Sequence, residues 1–198
     1  VIGFSDVTVL HSHIHNLGIQ SIHGMMPVNI PRATPEAKES LRKALFGESL
    51  TYAIPFDPMN KLGKAKGELV GGNLSILYSL FGSESAIDCA DKILFLEDVE
   101  EAPYRVDRML STLKLMGALD KIAGFIFGEC TDCEPGKGYG WLTMDQIFED
   151  HIKPLNIPAY RGAMIGHIRQ QFIVPVGGKV EMDADAGTFR LLESVFQS

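Results

Sequence analysis

The sequence has little of what several classes of protein require. It has only three cysteines in 198 residues, an odd count in a chain too long to depend on disulfides for its core. No apolar run approaches the roughly 18 residues that a membrane-spanning helix needs. Its 18 lysines and arginines are outnumbered by 25 aspartates and glutamates, and no basic stripe with interleaved aromatic residues occurs. We therefore expect neither a membrane-spanning nor a nucleic-acid-binding protein, and the cysteine usage favours a reducing cytoplasm.

A complete metal-binding motif is also missing. The run Cys130-Thr-Asp-Cys133 has the spacing of half a zinc site or of a redox pair, but no second pair of ligands accompanies it, and neither role is favoured. His11, His13 and His15 lie close together, yet only the first and third share a helix face, and no glutamate adjoins them as in H-E-x-x-H. We predict no metal and no cofactor. A polar helix face or a dimer contact is the favoured interpretation of the histidines.

The patterns that are present indicate an α/β fold. The chain is 45% hydrophobic with a mean hydropathy of +0.08, as in ordinary globular proteins. Lys92–Leu96 and Ile122–Phe127 are apolar runs typical of strands covered on both faces. Prolines, glycines and lysines concentrate between Thr51 and Glu68, and this change of composition predicts a linker or crossover at a domain boundary. The end of the chain, from Ile157 onward, is rich in predicted strands.

Helix boundaries are marked by local signals. Thr34-Pro35-Glu36 predicts the start of a helix, and Gly47 predicts its end. Thr143-Met-Asp-Gln146 has the form of a capping box at the start of another helix. A short strand is predicted over Ile19–Ile22, followed by a loop that begins at His23.

Ser5 is a candidate nucleophile. Four apolar or small residues precede it, and Val7, Leu10, Ile14 and Leu17 have the spacing of one helix face. A serine at a strand-to-helix turn projects from the backbone, and the helix N-terminus favours a developing oxyanion. However, Val7 stands where G-x-S-x-G has its second glycine. A serine that merely caps a helix is therefore the alternative.

Other candidate residues follow the later predicted strands. The acidic stretch Glu97–Glu101 follows a buried strand, where open α/β sheets carry their chemistry; a solvated acidic loop is the alternative. Gly71-Gly72-Asn73 precedes a helix and suits either an anion cradle or close packing. Arg105 and Arg108 lie three apart on one helix, and an ion pair with the acidic loop is favoured over a substrate clamp.

Three separated motifs together resemble the LD-carboxypeptidase family, which includes muramoyltetrapeptide carboxypeptidases and microcin-immunity peptidases. The motifs are Gly3-Phe4-Ser5-Asp6, Leu94-Phe95-Leu96-Glu97-Asp98 with Ala102-Pro103-Tyr104-Arg105-Val106-Asp107-Arg108, and Gly166-His167 before a β-rich end. The resemblance covers essentially the whole chain. Asp6–His11 and Gly71–Ser75 are also similar to stretches of that family.

The resemblance implies a catalytic triad of Ser5, Glu97 and His167. Neutral His167 would take the proton of Ser5, and Glu97 would fix the tautomer of the imidazole and stabilise the imidazolium. The backbone N–H of Asp6 would donate to the oxyanion. The remaining expectation is that substrate binding involves Gly71, Asn73 and Arg105.

The resemblance also implies an architecture and an activity. Residues 1–50 would end a flavodoxin-like parallel α/β domain, 51–68 would be the linker, and 69–198 would form a smaller β-rich β/α domain. The family is typically a cytoplasmic homodimer that releases D-alanine from the L,D-bond of murein tetrapeptides. Cleavage of peptidyl-nucleotide antibiotics is the nearest alternative.

One departure from the family pattern concerns the segment before the serine. Family members carry an Arg-Gly-Gly-Tyr-Gly-like stretch there that provides a second oxyanion donor, and this sequence has none. We therefore expect the chain to be the C-terminal part of a longer polypeptide and to be poorly active alone. The same departure motivates a third hypothesis, a non-catalytic module that binds muropeptides.

Overall fold

The computed structural model describes residues 1–134 and 142–195, which form five α-helices and ten β-strands. The helices are α1 (Thr8–Asn16), α2 (Pro35–Leu45), α3 (Leu74–Leu80), α4 (Pro103–Leu115) and α5 (Met144–His151). The strands are β1 (Ile2–Gly3), β2 (Ser21–His23), β3 (Thr51–Ala53), β4 (Lys64–Asn73), β5 (Ile93–Val99), β6 (Gly124–Thr131), β7 (Ala159–Arg161), β8 (Val174–Val176), β9 (Lys179–Asp183) and β10 (Thr188–Leu191). The predicted α/β class is confirmed.

The strands form two sheets. The larger has the order β3-β10-β9-β4-β5-β6-β7, in which β4 to β7 are parallel and β9 and β10 add an antiparallel part. The smaller has the order β1-β2-β8, in which β1 and β2 are parallel. Carboxyl ends of parallel strands meet at one edge of a sheet, so the turn after β1 and the end of β2 lie side by side.

Two apolar clusters cover the two faces of the parallel strands. Along β5, Ile93 and Phe95 belong to one cluster and Leu94 and Leu96 to the other. This alternation explains why the strand reads as a continuous apolar run, as a strand covered on both faces must.

The segment 51–68, predicted as a linker, is partly strand. Thr51–Ala53 pairs with β10, and β4 already begins at Lys64. Two of its three lysines, Lys64 and Lys66, lie on the β4–β9 pair, where Lys64 binds Asp183 at 2.7 Å. The sequence could not predict these strands, because their partners lie more than a hundred residues later in the chain. The division into two domains stays a prediction.

The predicted helix caps are confirmed. The Thr34 hydroxyl accepts the N–H of Ala37 at 3.2 Å at the start of α2. At α5, Thr143 and Gln146 form the reciprocal capping box. Such signals depend only on neighbouring residues, so they can be recognised in the sequence.

The predicted apolar face of α1 is wrong. The side chains of Leu10 and Leu17 are 51% and 64% exposed, whereas Thr8, His11 and Ser12 are buried. The buried polar groups have partners, which removes the penalty for burying them; for example, the Thr8 hydroxyl accepts the backbone N–H of Asn73 at 3.1 Å. Within the two described ranges, no helix combines the length and hydropathy needed to cross a membrane.

Candidate active site

Ser5 lies at a sharp turn from strand to helix, as predicted. The chain passes from β1 through a 3-10 turn at Ser5–Val7 into α1, and Ser5 has a left-handed φ of 60°. Non-glycine residues rarely adopt this conformation, which is a strain typical of functional turns. A Cβ on Gly3 would lie 2.7 Å from Cγ2 of Val7. The valine in place of the second glycine is therefore accommodated because Gly3 has no side chain.

His11 ties this turn to the neighbouring strand. Its Nε2 lies 2.9 Å from the carbonyl oxygen of Gly3, and its Nδ1 lies 2.7 Å from the hydroxyl of Ser21. Since a carbonyl only accepts, Nε2 carries the proton and Nδ1 accepts from the hydroxyl. Burial lowers the pKa of His11 to about 4, so the ring is neutral near pH 7. A neutral histidine thus fastens α1 to β1 and β2.

The three clustered histidines have separate partners. His13 bonds to the Ser85 hydroxyl at 3.0 Å, and His15 pairs with Glu68. In the part of the chain that the structure describes, no group of three or more histidine, cysteine, aspartate or glutamate side chains is arranged to hold a metal ion.

Glu97 and His167 are brought together although they are 70 residues apart. Glu97 lies in β5 with its side chain 0% exposed, and its Oε2 accepts a hydrogen bond from His167 Nδ1 at 2.9 Å. Gly166 has a φ of 131°, and a Cβ there would lie 3.1 Å from Glu97 Oε2. A glycine before the histidine therefore lets the loop after β7 approach the carboxylate.

The environment keeps this pair polarised. Burial alone would raise the pKa of Glu97, but the hydrogen bond from His167 and the approach of His23 outweigh burial and lower the pKa to about 2. Burial would lower the pKa of His167, but the hydrogen bond to Glu97 outweighs it and raises the pKa above the usual histidine value. The negative charges of Asp98 and Glu100 act in the same direction. The carboxylate is thus ionised and the imidazole more basic than usual.

Asp98 has different partners. Its carboxylate accepts from the Asn73 side-chain amide at 3.0 Å and from the backbone N–H of Ser75 at 2.9 Å. The β5–β6 register shifts between Leu96 and Asp98, an irregularity of the kind that re-aims side chains near active sites. Only Glu97 of the two carboxylates bonds to His167.

A cavity of about 590 Å³ adjoins His167 and Phe4, the residue before Ser5. The rings of Phe4 and His167 are in edge contact, with centroids 4.8 Å apart. Arg32 and Arg169 also line this cavity. Phe4, which precedes the predicted nucleophile, and His167, which bonds to Glu97, therefore line one opening.

The residues predicted to bind substrate have structural contacts. A Cβ on Gly71 would lie 1.8 Å from the carbonyl oxygen of Phe95, so this glycine permits close strand packing. The Asn73 side chain accepts the N–H of Ile76 at the start of α3, at 3.1 Å. Arg105 is exposed and pairs with Glu101 at 3.7 Å. This is the ion pair with the acidic stretch that the sequence favoured. A substrate role for Gly71, Asn73 and Arg105 stays a prediction.

Sequence reasoning missed two features near this site. His23 was assigned to a loop, but it ends β2 with its side chain 0% exposed, and its Nε2 lies 3.9 Å from Glu97 Oε1. A histidine at the end of a strand beside the Ser5 strand was the available signal. Cys130 and Cys133, to which no pairing was assigned, form a disulfide at the end of β6. A disulfide does not fit the reducing cytoplasm that the cysteine usage favoured.

Comparison with known proteins identifies similar chains. Residues 66–182 match the model of the LD-carboxypeptidase C-terminal domain. A probable murein peptide carboxypeptidase of Bacillus subtilis (strain 168) is 40% identical over 187 residues, covering 91% of this chain and 59% of the relative. The murein tetrapeptide carboxypeptidase of Pseudomonas aeruginosa is 32% identical over 192 residues, covering 89% of this chain and 60% of the relative.

The fold is similar to that of a solved enzyme. The crystal structure of muramoyltetrapeptide carboxypeptidase from Oxalobacter formigenes superposes with a TM-score of 0.84 at 26% identity, covering 96% of this chain and 66% of that one. The chain spans about 60% of the length of the two curated relatives.

Proposed function

Because this chain belongs to the LD-carboxypeptidase family, we propose that it carries the catalytic triad of a serine carboxypeptidase that releases D-alanine from murein tetrapeptides. The observation that supports this most directly is the 2.9 Å hydrogen bond from His167 Nδ1 to the buried carboxylate of Glu97, next to the residue that precedes a strained serine. A base whose second nitrogen is held by a carboxylate is the arrangement that activates serine.

The proposed reaction assigns one task to each group. Ser5 attacks the carbonyl carbon of the L,D-peptide bond while His167 Nε2 takes the hydroxyl proton. The N–H of Asp6, at the helix start, donates to the oxyanion. His167 then protonates the leaving amine of D-alanine, which leaves an acyl-enzyme that water cleaves by the reverse proton path. Glu97 stays ionised throughout.

The charge of the cavity supports an anionic peptide as substrate. Arg32 and Arg169 are both exposed and line the opening beside His167. Guanidinium groups bind carboxylates through paired hydrogen bonds, and a murein tetrapeptide carries a C-terminal carboxylate. A cytoplasmic homodimer, which the family resemblance implies, remains part of the proposal.

The test is the release of D-alanine from a murein tetrapeptide by the wild type and by Ser5→Ala. We expect Ser5→Ala to abolish turnover with an unchanged circular dichroism spectrum, because the lost hydroxyl leaves little cavity. Ser79→Ala, an exposed serine on α3, is the matched control and should keep full activity. More than a trace of hydrolysis by Ser5→Ala would refute the nucleophile assignment.

Two further measurements separate the alternatives. Labelling of Ser5 by a fluorophosphonate argues for an enzyme, and repeated failure on folded protein argues for a non-catalytic binding module. An aminoacyl-nucleotide offered in the same assay tests the antibiotic-cleaving alternative.

A further inference from the structure

Three buried polar atoms without a hydrogen-bond partner belong to two facing side chains. Among the described residues, no partner lies at hydrogen-bond distance from either ring nitrogen of His23 or from Oε1 of Glu97. Both side chains are 0% exposed, and His23 Nε2 lies 3.9 Å from Glu97 Oε1. The other oxygen of the same carboxylate, Oε2, accepts from His167. Glu97 thus lies between two imidazoles.

The side chains that surround the His23 ring are mainly aromatic. The His23 ring makes an edge contact with Phe95 at 5.1 Å and lies 6.2 Å from the ring of Phe4. An unpaired carboxylate oxygen or imidazole nitrogen among such rings costs free energy that pairing recovers. Closing the gap by about 1 Å brings Nε2 and Oε1 to hydrogen-bond distance.

We propose that His23 is a positioning residue that donates its Nε2–H to Glu97 Oε1 and so holds Oε2 toward His167. The proposal rests on the proposed function, in which Glu97 orients His167. It gives the carboxylate two fixed donors, one on each oxygen, and therefore one orientation in the site.

The neighbouring ionisable groups leave this role to His23. On the α1 side the nearest ring is that of His11, 6.1 Å away and bonded to Gly3 and Ser21. On the β5 side the Asp98 carboxylate is engaged by Asn73 and Ser75. The remaining ionisable groups are His167 itself, which is bonded to Oε2, and Glu100, whose negative charge acts on His167.

The proposed hydrogen bond has a consequence for His167. A carboxylate with two donors is a weaker base than one with a single donor. Without His23, the carboxylate should hold the His167 imidazolium more tightly and raise its pKa. It should also lose its fixed orientation, so that fewer enzyme molecules have the imidazole correctly placed.

The experiment compares His23→Leu, His23→Gln and a control, His13→Gln, in the full chain. The pKa of His167 is measured by NMR titration of protein with 13C-labelled histidine, and kcat and KM are measured against pH. For His23→Leu we expect the His167 pKa to rise by about half a unit or more and kcat to fall about 10-fold with KM nearly unchanged. His23→Gln keeps an N–H at a similar reach, so it should stay near the wild type in both respects. His13, which contacts Ser85 on the outer side of α1, should affect neither.

Several outcomes decide the proposal. It is overturned if His167 titrates as in the wild type in folded His23→Leu, or if His23→Gln behaves no better than His23→Leu. If His23→Leu does not fold, His23→Phe takes its place, because it keeps an aromatic ring beside Phe4 and Phe95 but has no N–H. An unchanged His167 pKa in that variant would overturn the proposal, and a raised pKa would support it. The NMR measurement needs no turnover. A folded chain whose Ser5 is repeatedly not labelled by a fluorophosphonate, but that shows the expected pKa changes, would therefore refute the proposed function and leave the His23–Glu97 contact supported.

Discussion

Glu97 and Asp98 are adjacent and both buried, yet their partners give them different roles. We predict that Glu97→Gln lowers kcat/KM by about 10⁴-fold, as a change that favours the wrong histidine tautomer does in other serine enzymes. The variant should fold, because an amide is close to a carboxylate in size. Steady-state kinetics with a murein tetrapeptide provide the measurement.

Asp98→Asn is the matched control for that substitution. Asp98 accepts N–H groups of Asn73 and Ser75, so the variant should lose thermal stability by breaking this network while keeping a larger fraction of the activity. If Asp98→Asn alone abolished turnover and Glu97→Gln did not, the assignment of the acid would be wrong.

The raised pKa of His167 predicts the acidic limb of the pH–rate profile. The proposed base must be neutral to accept the proton of Ser5, so activity should fall as the pH drops through the pKa of His167. Because Glu97 and the nearby negative charges raise that pKa, the midpoint of kcat/KM should lie above the usual histidine value of about 6.5. A midpoint below that value, measured in buffers of constant ionic strength, would contradict the electrostatics described for the site.

At the scale of the secondary-structure elements, features set by neighbouring residues were predicted correctly, whereas features set by residues distant in the chain were not. The caps Thr34 and Thr143 and the turn at Ser5 depend on residues within a few positions, so the sequence alone reveals them. The buried face of α1 cannot be predicted in this way, because Thr8 bonds to a residue of β4 and His11 bonds to residues of β1 and β2. The same holds for His23, whose neighbour Glu97 belongs to another sheet.

The β4–β5 contact depends on a glycine, which yields a prediction for one element. Gly71 has a φ of 144°, and its Cβ would lie 1.8 Å from the Phe95 carbonyl oxygen. We expect Gly71→Ala to force the two strands apart and to cost about 4 kcal/mol or more of the free energy of unfolding. Since β5 carries Glu97, activity should be lost as well. Urea denaturation and the tetrapeptide assay measure the two effects.

Gly82→Ala is the control at the end of α3. Gly82 also has a positive φ, 81°, but a Cβ there would meet nothing within 4 Å. Its cost should be limited to backbone strain of about 1–2 kcal/mol. Equal destabilisation by the two substitutions would show that strain alone, and not the close approach of β4 to β5, accounts for the loss.

In the whole molecule, the candidate site lies where the two sheets meet. The Ser5 turn and His23 come from the smaller sheet, and Glu97 and the loop of His167 come from the parallel part of the larger sheet. The site therefore depends on how firmly the first fifty residues pack against the remainder. No local pattern of sequence reports that packing.

One apolar cluster joins the residues before segment 51–68 to those after it, and this shared core predicts how the chain unfolds. It contains Ile22 and Ala44, which precede the segment 51–68, together with Val180 and Phe189, which follow it. Residues that share one core should unfold together, so we expect a single calorimetric transition whose van't Hoff and calorimetric enthalpies agree. Ile22→Ala should cost about 2–5 kcal/mol, and Ile22→Ala and Val180→Ala should each move this same transition to lower temperature. Two transitions, each shifted by only one of these variants, would instead support the predicted division into separately folding domains.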